Sequence, residues 1–284
     1  MGYSHSRSLR KDKRAVSPAV STVILTAAVI VMILVAMGFA NNFLDARMAE
    51  NEFSTNKQFM LTTGLQIDDI AWTIGRTQTV RYSSQYGNMK FLSPAVNYTF
   101  EINTGSGWET LFSNTTGMIL FNIPVSTYSV SNNYFERVLP SSNGSFLQQG
   151  PSAPVSQVFC VEKLPMIEGN YTRIAAVPSI RMLNSTIQGP AGAPTNYYKF
   201  YMPTLAAGNH LYRSQSITMT GNDIAKIVRN DVDQVRISVT FPNDDSGFDA
   251  DFFKFDHISE TVTLLPNSVV EFYVGTVIVT LGKV

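Results

Sequence analysis

Two hydrophobic periods divide the chain. From Ala15 to Leu44 no side chain is charged. The most apolar part, Val20 to Ala40, is about 21 residues, or roughly 30 Å of helix, which matches the hydrocarbon core of a bilayer. The stretch that follows, "NNFLDARMAENEFSTNKQFMLTTGLQIDDIAWTIG", has no proline and no glycine before Gly64. Its apolar residues (Phe43, Leu44, Met48, Phe53, Met60, Leu61, Ile67, Ile70, Ala71 and Ile74, continuing from Phe39) fall in a gapped stripe of helical period. The pattern predicts one helix over 16–75, apolar all round in its first half and amphipathic in its second, with Gly64 as a candidate interruption. Asp45, Arg47, Glu50 and Glu52 cluster just past the apolar part.

From Gln78 onward the period is two. "AVNYTFEIN", "SQVFCVEK", "NYYKFYM", "QSITMT", "DQVRISVTF" and "SETVTLL" alternate or run apolar, and "VVEFYVGTVIVTLGKV" reads as two apolar runs about Gly275. Turn-forming residues separate them at 104–107, 142–144, 188–190 and 242–245. The expected fold class is α+β: a long N-terminal apolar helix, then a mainly antiparallel β-sandwich or barrel head over 76–284, with about 10–14 strands. Segment 141–154, rich in Ser, Gly and Pro, is the best place for a break within the head.

Composition fits an exported surface. Charged residues are 15% and the formal net charge is +0, so no basic excess points to nucleic acid. The single cysteine, Cys160, has no internal disulfide partner and is expected as a buried, inert thiol. No phosphate-binding loop, HExxH, GxSxG or Cys/His metal pattern occurs, so the sequence gives no argument for an enzyme or a cofactor. Asp244, Asp245, Asp249 and Asp251 crowd one short stretch. Oxygen ligands with a glycine can hold calcium, but the spacing is not that of the helix–loop–helix motif, and a solvated acidic loop is the default. Asp68-Asp69 reads as a solvated pair. Asn-x-Ser/Thr sequons stand at Asn97, Asn114, Asn143, Asn170 and Asn184, with Asn143 in the most accessible setting.

Before the apolar run lie Arg7, Arg10, Lys11, Lys13 and Arg14 against one acid, Asp12. This asymmetry places the N-terminus in the cytoplasm and the large C-terminal part outside. Ser17 suits a helix cap, and Pro18 in the first turn loses no needed N–H. Small residues recur at four-residue spacing in Ser17/Ser21, Thr22/Thr26 and Ala36/Ala40, which lets helices approach closely in an apolar medium.

Lys13-Arg14-Ala15, then Val16-Ser17-Pro18-Ala19-Val20, then a long apolar helix: this combination resembles the N-terminus of archaeal type IV pilins, whose architecture the archaellins share. The resemblance covers about residues 10–45 and does not reach the head. It implies that a prepilin peptidase removes the basic leader, 1–15, at a site formed by Arg14, Ala15 and Val16, cutting after Ala15 or after Arg14. It further implies that the helix is kept as the core of a homopolymeric extracellular filament, and that an assembly ATPase and membrane platform extract the subunit from the membrane. The glutamate that bacterial pilins carry at the fifth mature position is absent; Val20 stands there. Alternatives are a single-pass anchored binding module that never polymerises, a minor pilin or pseudopilin, and an export signal cut after Ala40 at Gly38-Phe39-Ala40.

Overall fold

The computed structural model describes residues 16–82, 84–188, 194–210 and 215–282; for 16–19 and 210 it describes the backbone alone. The chain divides into two compact units, Met1–Met48 and Ala49–Val284. Helix α1, Val16–Ala71, contributes to both. Its 56 residues are uninterrupted, Gly64 included.

The second unit holds thirteen strands among the described residues: β1 Thr77–Arg81, β2 Asn88–Asn103, β3 Trp108–Pro124, β4 Tyr134–Leu139, β5 Leu147–Gln149, β6 Ser156–Glu162, β7 Tyr171–Pro178, β8 Ile180–Gln188, β9 Pro194–His210, β10 Ser216–Asn230, β11 Gln234–Thr240, β12 Ser259–Thr263 and β13 Ser268–Leu281. A short helix α2, Ala250–Phe253, precedes β12. The strands form two curled sheets, ordered β1-β10-β13-β9-β8-β5 and β12-β11-β2-β3-β7-β6-β4. Pairing is antiparallel except for β9–β13 and β5–β8. The α+β class and the mostly antiparallel head are therefore as the sequence predicts. The two runs about Gly275 are one strand, β13. Segment 141–154 lies inside the second unit, with Phe146 and Leu147 in its core.

Two cores explain why some strands alternate and others do not. One core lies between the sheets and is rich in aromatic rings: Phe100 stacks on Phe112 at 4.5 Å and meets Phe272 edge-on at 5.3 Å. The other lies under the second part of α1, where Phe53, Met60, Ile67 and Ile70 pack on Ile119, Phe121, Val158 and Ile174 of one sheet and on Ile217, Met219 and Val277 of the other. Strands β3, β6 and β7 sit between the cores. Met118 and Leu120 point into the first core, Ile119 and Phe121 into the second, and all seven residues of β6 are buried. A strand covered on both faces reads as a continuous apolar run, as "SQVFCVE" does.

Glycines set how closely α1 meets the strands. A side chain on Gly64 would lie 2.7 Å from Val158 Cγ2 and 3.0 Å from Ser156 Oγ, and that serine donates to the Gly64 carbonyl at 2.7 Å. Gly221 and Gly275 leave room for the carbonyls of Ile70, Ala71 and Thr73 at the end of α1. The helix ends at Ala71 and the chain turns into β1 through Gly75, whose φ of 78° suits glycine and whose N–H donates to the Gly221 carbonyl at 2.7 Å.

Polar groups fasten the same helix. The buried Glu52 carboxylate accepts the backbone N–H groups of Gln85 (2.9 Å), Tyr86 (3.0 Å) and Gly87 (2.9 Å). Asp68 is not merely solvated: Arg181 grips it with two nitrogens, and Trp72 Nε1 donates to its Oδ1 at 2.7 Å. Asp69 pairs with Arg76 and Gln78 at the surface.

Candidate functional site: the apolar surface of the N-terminal helix

In the first unit α1 is long and apolar enough to cross a membrane, and none of its most apolar window is buried within the chain. Successive residues Val23, Ile24 and Leu25 are each more than 60% exposed, as is Phe39. Consecutive exposed residues point around the whole helix circumference, so the apolar surface is a sleeve rather than a stripe. In a water-soluble domain such a surface is far larger than the patches monomers leave uncovered. The few polar groups on it do not break it, because Thr26 Oγ1 donates to the Thr22 carbonyl at 2.8 Å within the helix. Towards residue 48 the sleeve ends in Asn41, Asn42, Asp45 and Arg47, with the Arg47 guanidinium 5.3 Å from the Phe43 ring centre. Apolar residues followed by a polar collar suit an interface between an apolar medium and water.

Of the processing residues, Arg14 and Ala15 lie outside the described residues. Val16 opens the described helix, and Ser17 and Pro18 fall in its first turn, where proline costs no hydrogen bond.

The sequons occupy unequal settings. Asn143, Asn170 and Asn184 are exposed. Asn97 is half-buried on the outer face of β2, where Ser113 Oγ donates to its Oδ1 at 3.0 Å. Asn114 pairs across the ladder with Tyr98 and so stands on the face that carries Phe100, a poor setting for a glycan. Asn143 is held at both ends of its amide: Oδ1 accepts Ser145 N–H at 2.8 Å and Nδ2 donates to Gln148 Oε1 at 3.2 Å.

The acidic loop is a cap. Asp249 caps α2 by accepting Phe252 N–H at 3.1 Å and pairs with Lys163 at 2.5 Å, while Asp244 accepts Asp245 N–H in a 3₁₀ turn. Burial alone would raise the Asp249 carboxyl, but Lys163 and the N–H of Phe252 outweigh it and hold the group below the usual carboxylate range. Among the described residues no three His, Cys, Asp or Glu side chains gather as a metal site, so Asp244, Asp245, Asp249 and Asp251 do not converge as ligands. Cys160 is fully buried beneath α1, and burial pushes its thiol up to about 12.

The head also holds features no motif announced. Arg173 is fully buried, its cation meeting the Tyr171 ring at 5.1 Å, the Phe248 ring at 5.8 Å and the Gly169 carbonyl at 2.9 Å. Its direct partners are aromatic faces, carbonyls and the Met166 thioether at 3.0 Å, none of them a charge that a sequence motif would flag. Compared with protein-family models, with curated proteins and with solved structures, the chain matches none.

Proposed function

We propose that this chain is the subunit of an archaeal type IV pilus-like filament. On this reading a prepilin peptidase removes residues 1–15, the N-terminus of the precursor faces the cytoplasm, and the head is delivered outside. The retained helix joins copies of itself in the filament core, and the β-heads form the exterior and make surface contacts. The observation that carries the reading is the apolar sleeve of α1 following directly on Lys13-Arg14-Ala15-Val16-Ser17-Pro18. A sleeve apolar on every side needs an apolar surround, which lipid supplies before assembly and neighbouring helices supply after it. Moving from lipid to a helix bundle exchanges one apolar contact for another, so the gain is a packing difference, and extraction calls for an ATPase and a membrane platform.

Shearing cells and sedimenting the released material tests the proposal. The expected result is filaments whose subunit begins near Val16. Arg14→Glu and Ala15→Glu should each leave the leader attached and abolish the filaments. A subunit found only in the membrane fraction, with no sedimentable polymer, supports the second reading, an anchored surface module that shares the same helix. A soluble, solitary chain beginning beyond Ala40 overturns both.

A further inference from the structure

We propose that Asn143-Gly144 is a deamidation site that the fold holds closed, with Asp256 as the guard. The inference is independent of the filament reading. An Asn-Gly step is chemically labile because the glycine nitrogen reaches the asparagine side chain unhindered. The Gly144 nitrogen loses its proton and attacks Asn143 Cγ; a C–N bond forms, the bond to Nδ2 breaks, and Nδ2 leaves as ammonia. Water then opens the cyclic imide at either carbonyl, giving aspartate or isoaspartate. Glycine lets the Arg137 guanidinium and the Asp256 carboxylate close over this backbone: a side chain at Gly144 would have to push the ends of both aside.

Every group the reaction needs is occupied. Gly144 is buried, and its N–H, the proton that must leave, donates to Asp256 Oδ2 at 3.0 Å. A carboxylate at that distance opposes formation of an amide anion. Asp256 N–H returns a bond to the Gly144 carbonyl at 3.2 Å, so the two backbones are clasped. The Asn143 amide is held by Ser145 N–H and Gln148 Oε1, which keep it from swinging onto the nitrogen. Arg137, 3.5 Å from Asp256, is neutralised by the same carboxylate. Without Asp256, that cation would face the Gly144 nitrogen alone and favour the anion.

The test is isotope-labelled peptide mapping of full-length chain, made without glycosylation and aged in detergent at mildly alkaline pH. Native chain should deamidate at Asn143 far more slowly than chain in urea; equal rates overturn the proposal. Asp256→Ala should speed the native reaction by about tenfold or more, the scale of one near charge–charge interaction. An unchanged rate overturns the guard. Asp256→Asn, which keeps an acceptor without the charge, should fall between the two, and it serves as the deciding variant if Asp256→Ala exposes the Cys160 thiol by unfolding. Adding Arg137→Gln to Asp256→Ala should slow the reaction again. Mere loosening of the loop would speed it further, and that result also overturns the proposal.

Discussion

Asp68 and Arg181 face each other between α1 and β8, with Oδ2–Nη1 at 2.7 Å and Oδ1–Nη2 at 3.0 Å. The pair is bidentate and its arginine largely covered, with 12% of the side chain exposed. Such geometry restricts both partners and makes the pair stronger than an ordinary surface bridge. Asp68→Ala should destabilise the head by about 2 kcal/mol, less than the cost of breaking a fully buried pair. Thermal unfolding should shift down by roughly 4–8 °C. Asp69→Ala, one residue along, removes a surface pair and should change the midpoint little. Equal effects of the two would show that covering of Arg181 is irrelevant.

Glu52 secures the loop before β2. It is 6% exposed, and three successive N–H groups converge on its carboxylate. Glu52→Gln keeps the shape but removes the charge; Glu52→Ala leaves the donors unmet. Charge-assisted bonds contribute about 1.5–3 kcal/mol each, and unsatisfied buried donors cost about 1–3 kcal/mol. We expect Glu52→Ala to lose hydrogen-exchange protection at Gln85–Gly87 and to admit protease there, with Glu52→Gln intermediate. Protection unchanged in both would refute the role.

How much of this was legible beforehand differs by element. The long helix was legible because 16–71 carries no proline after its first turn and its apolar run is uninterrupted. The burial stripe was only partly legible. Phe53, Met60, Ile67 and Ile70 are buried as their spacing predicts, but so are Glu52, Asn56 and Thr63, whereas Ile74 is exposed. A buried carboxylate depends on donors that lie 33–35 residues away, which local periodicity does not contain. Gly64 and Gly275 read as breaks because glycine usually marks them. Here both admit a neighbouring backbone or side chain instead. The strand runs were visible, but the parallel β9–β13 pairing was not, since residues some 70 apart in sequence decide it.

Cys160 gives the head a pH signature. Its thiol is pushed from about 9 up to about 12, with burial as the largest cause. The folded state therefore holds the proton longer than the unfolded state. The contribution to stability is fully present below pH 9 and is lost as pH rises from 9 to 12, by up to about 1.4 kcal/mol per pH unit. Cys160→Ala should flatten that part of the stability curve, at the cost of lost packing at every pH. At neutral pH the native thiol should resist alkylation, reacting only as fast as the head opens. Rapid labelling of native protein would contradict its burial.

Two effects oppose each other at Gly64. In an exposed helix, Gly→Ala gains about 1 kcal/mol of helix propensity. At Gly64 the new methyl would stand 2.7 Å from Val158 Cγ2. Val158 is β-branched, so few rotamers are open to it, and it is fully buried in a strand covered on both faces. Overpacking of this kind costs about 1–3 kcal/mol, and the bond from Ser156 to the Gly64 carbonyl would stretch as the helix is pushed off the sheet. Gly64→Ala should therefore destabilise the head despite its better propensity. Val158→Ala alone leaves a cavity and should also destabilise, yet the two together should be less harmful than the sum, because the added methyl fills the space the valine vacates. A double-mutant cycle by denaturant unfolding measures the coupling. Strict additivity would mean that α1 and β6 do not meet at this point, whereas a coupling of about 1 kcal/mol or more would place Gly64 directly against Val158.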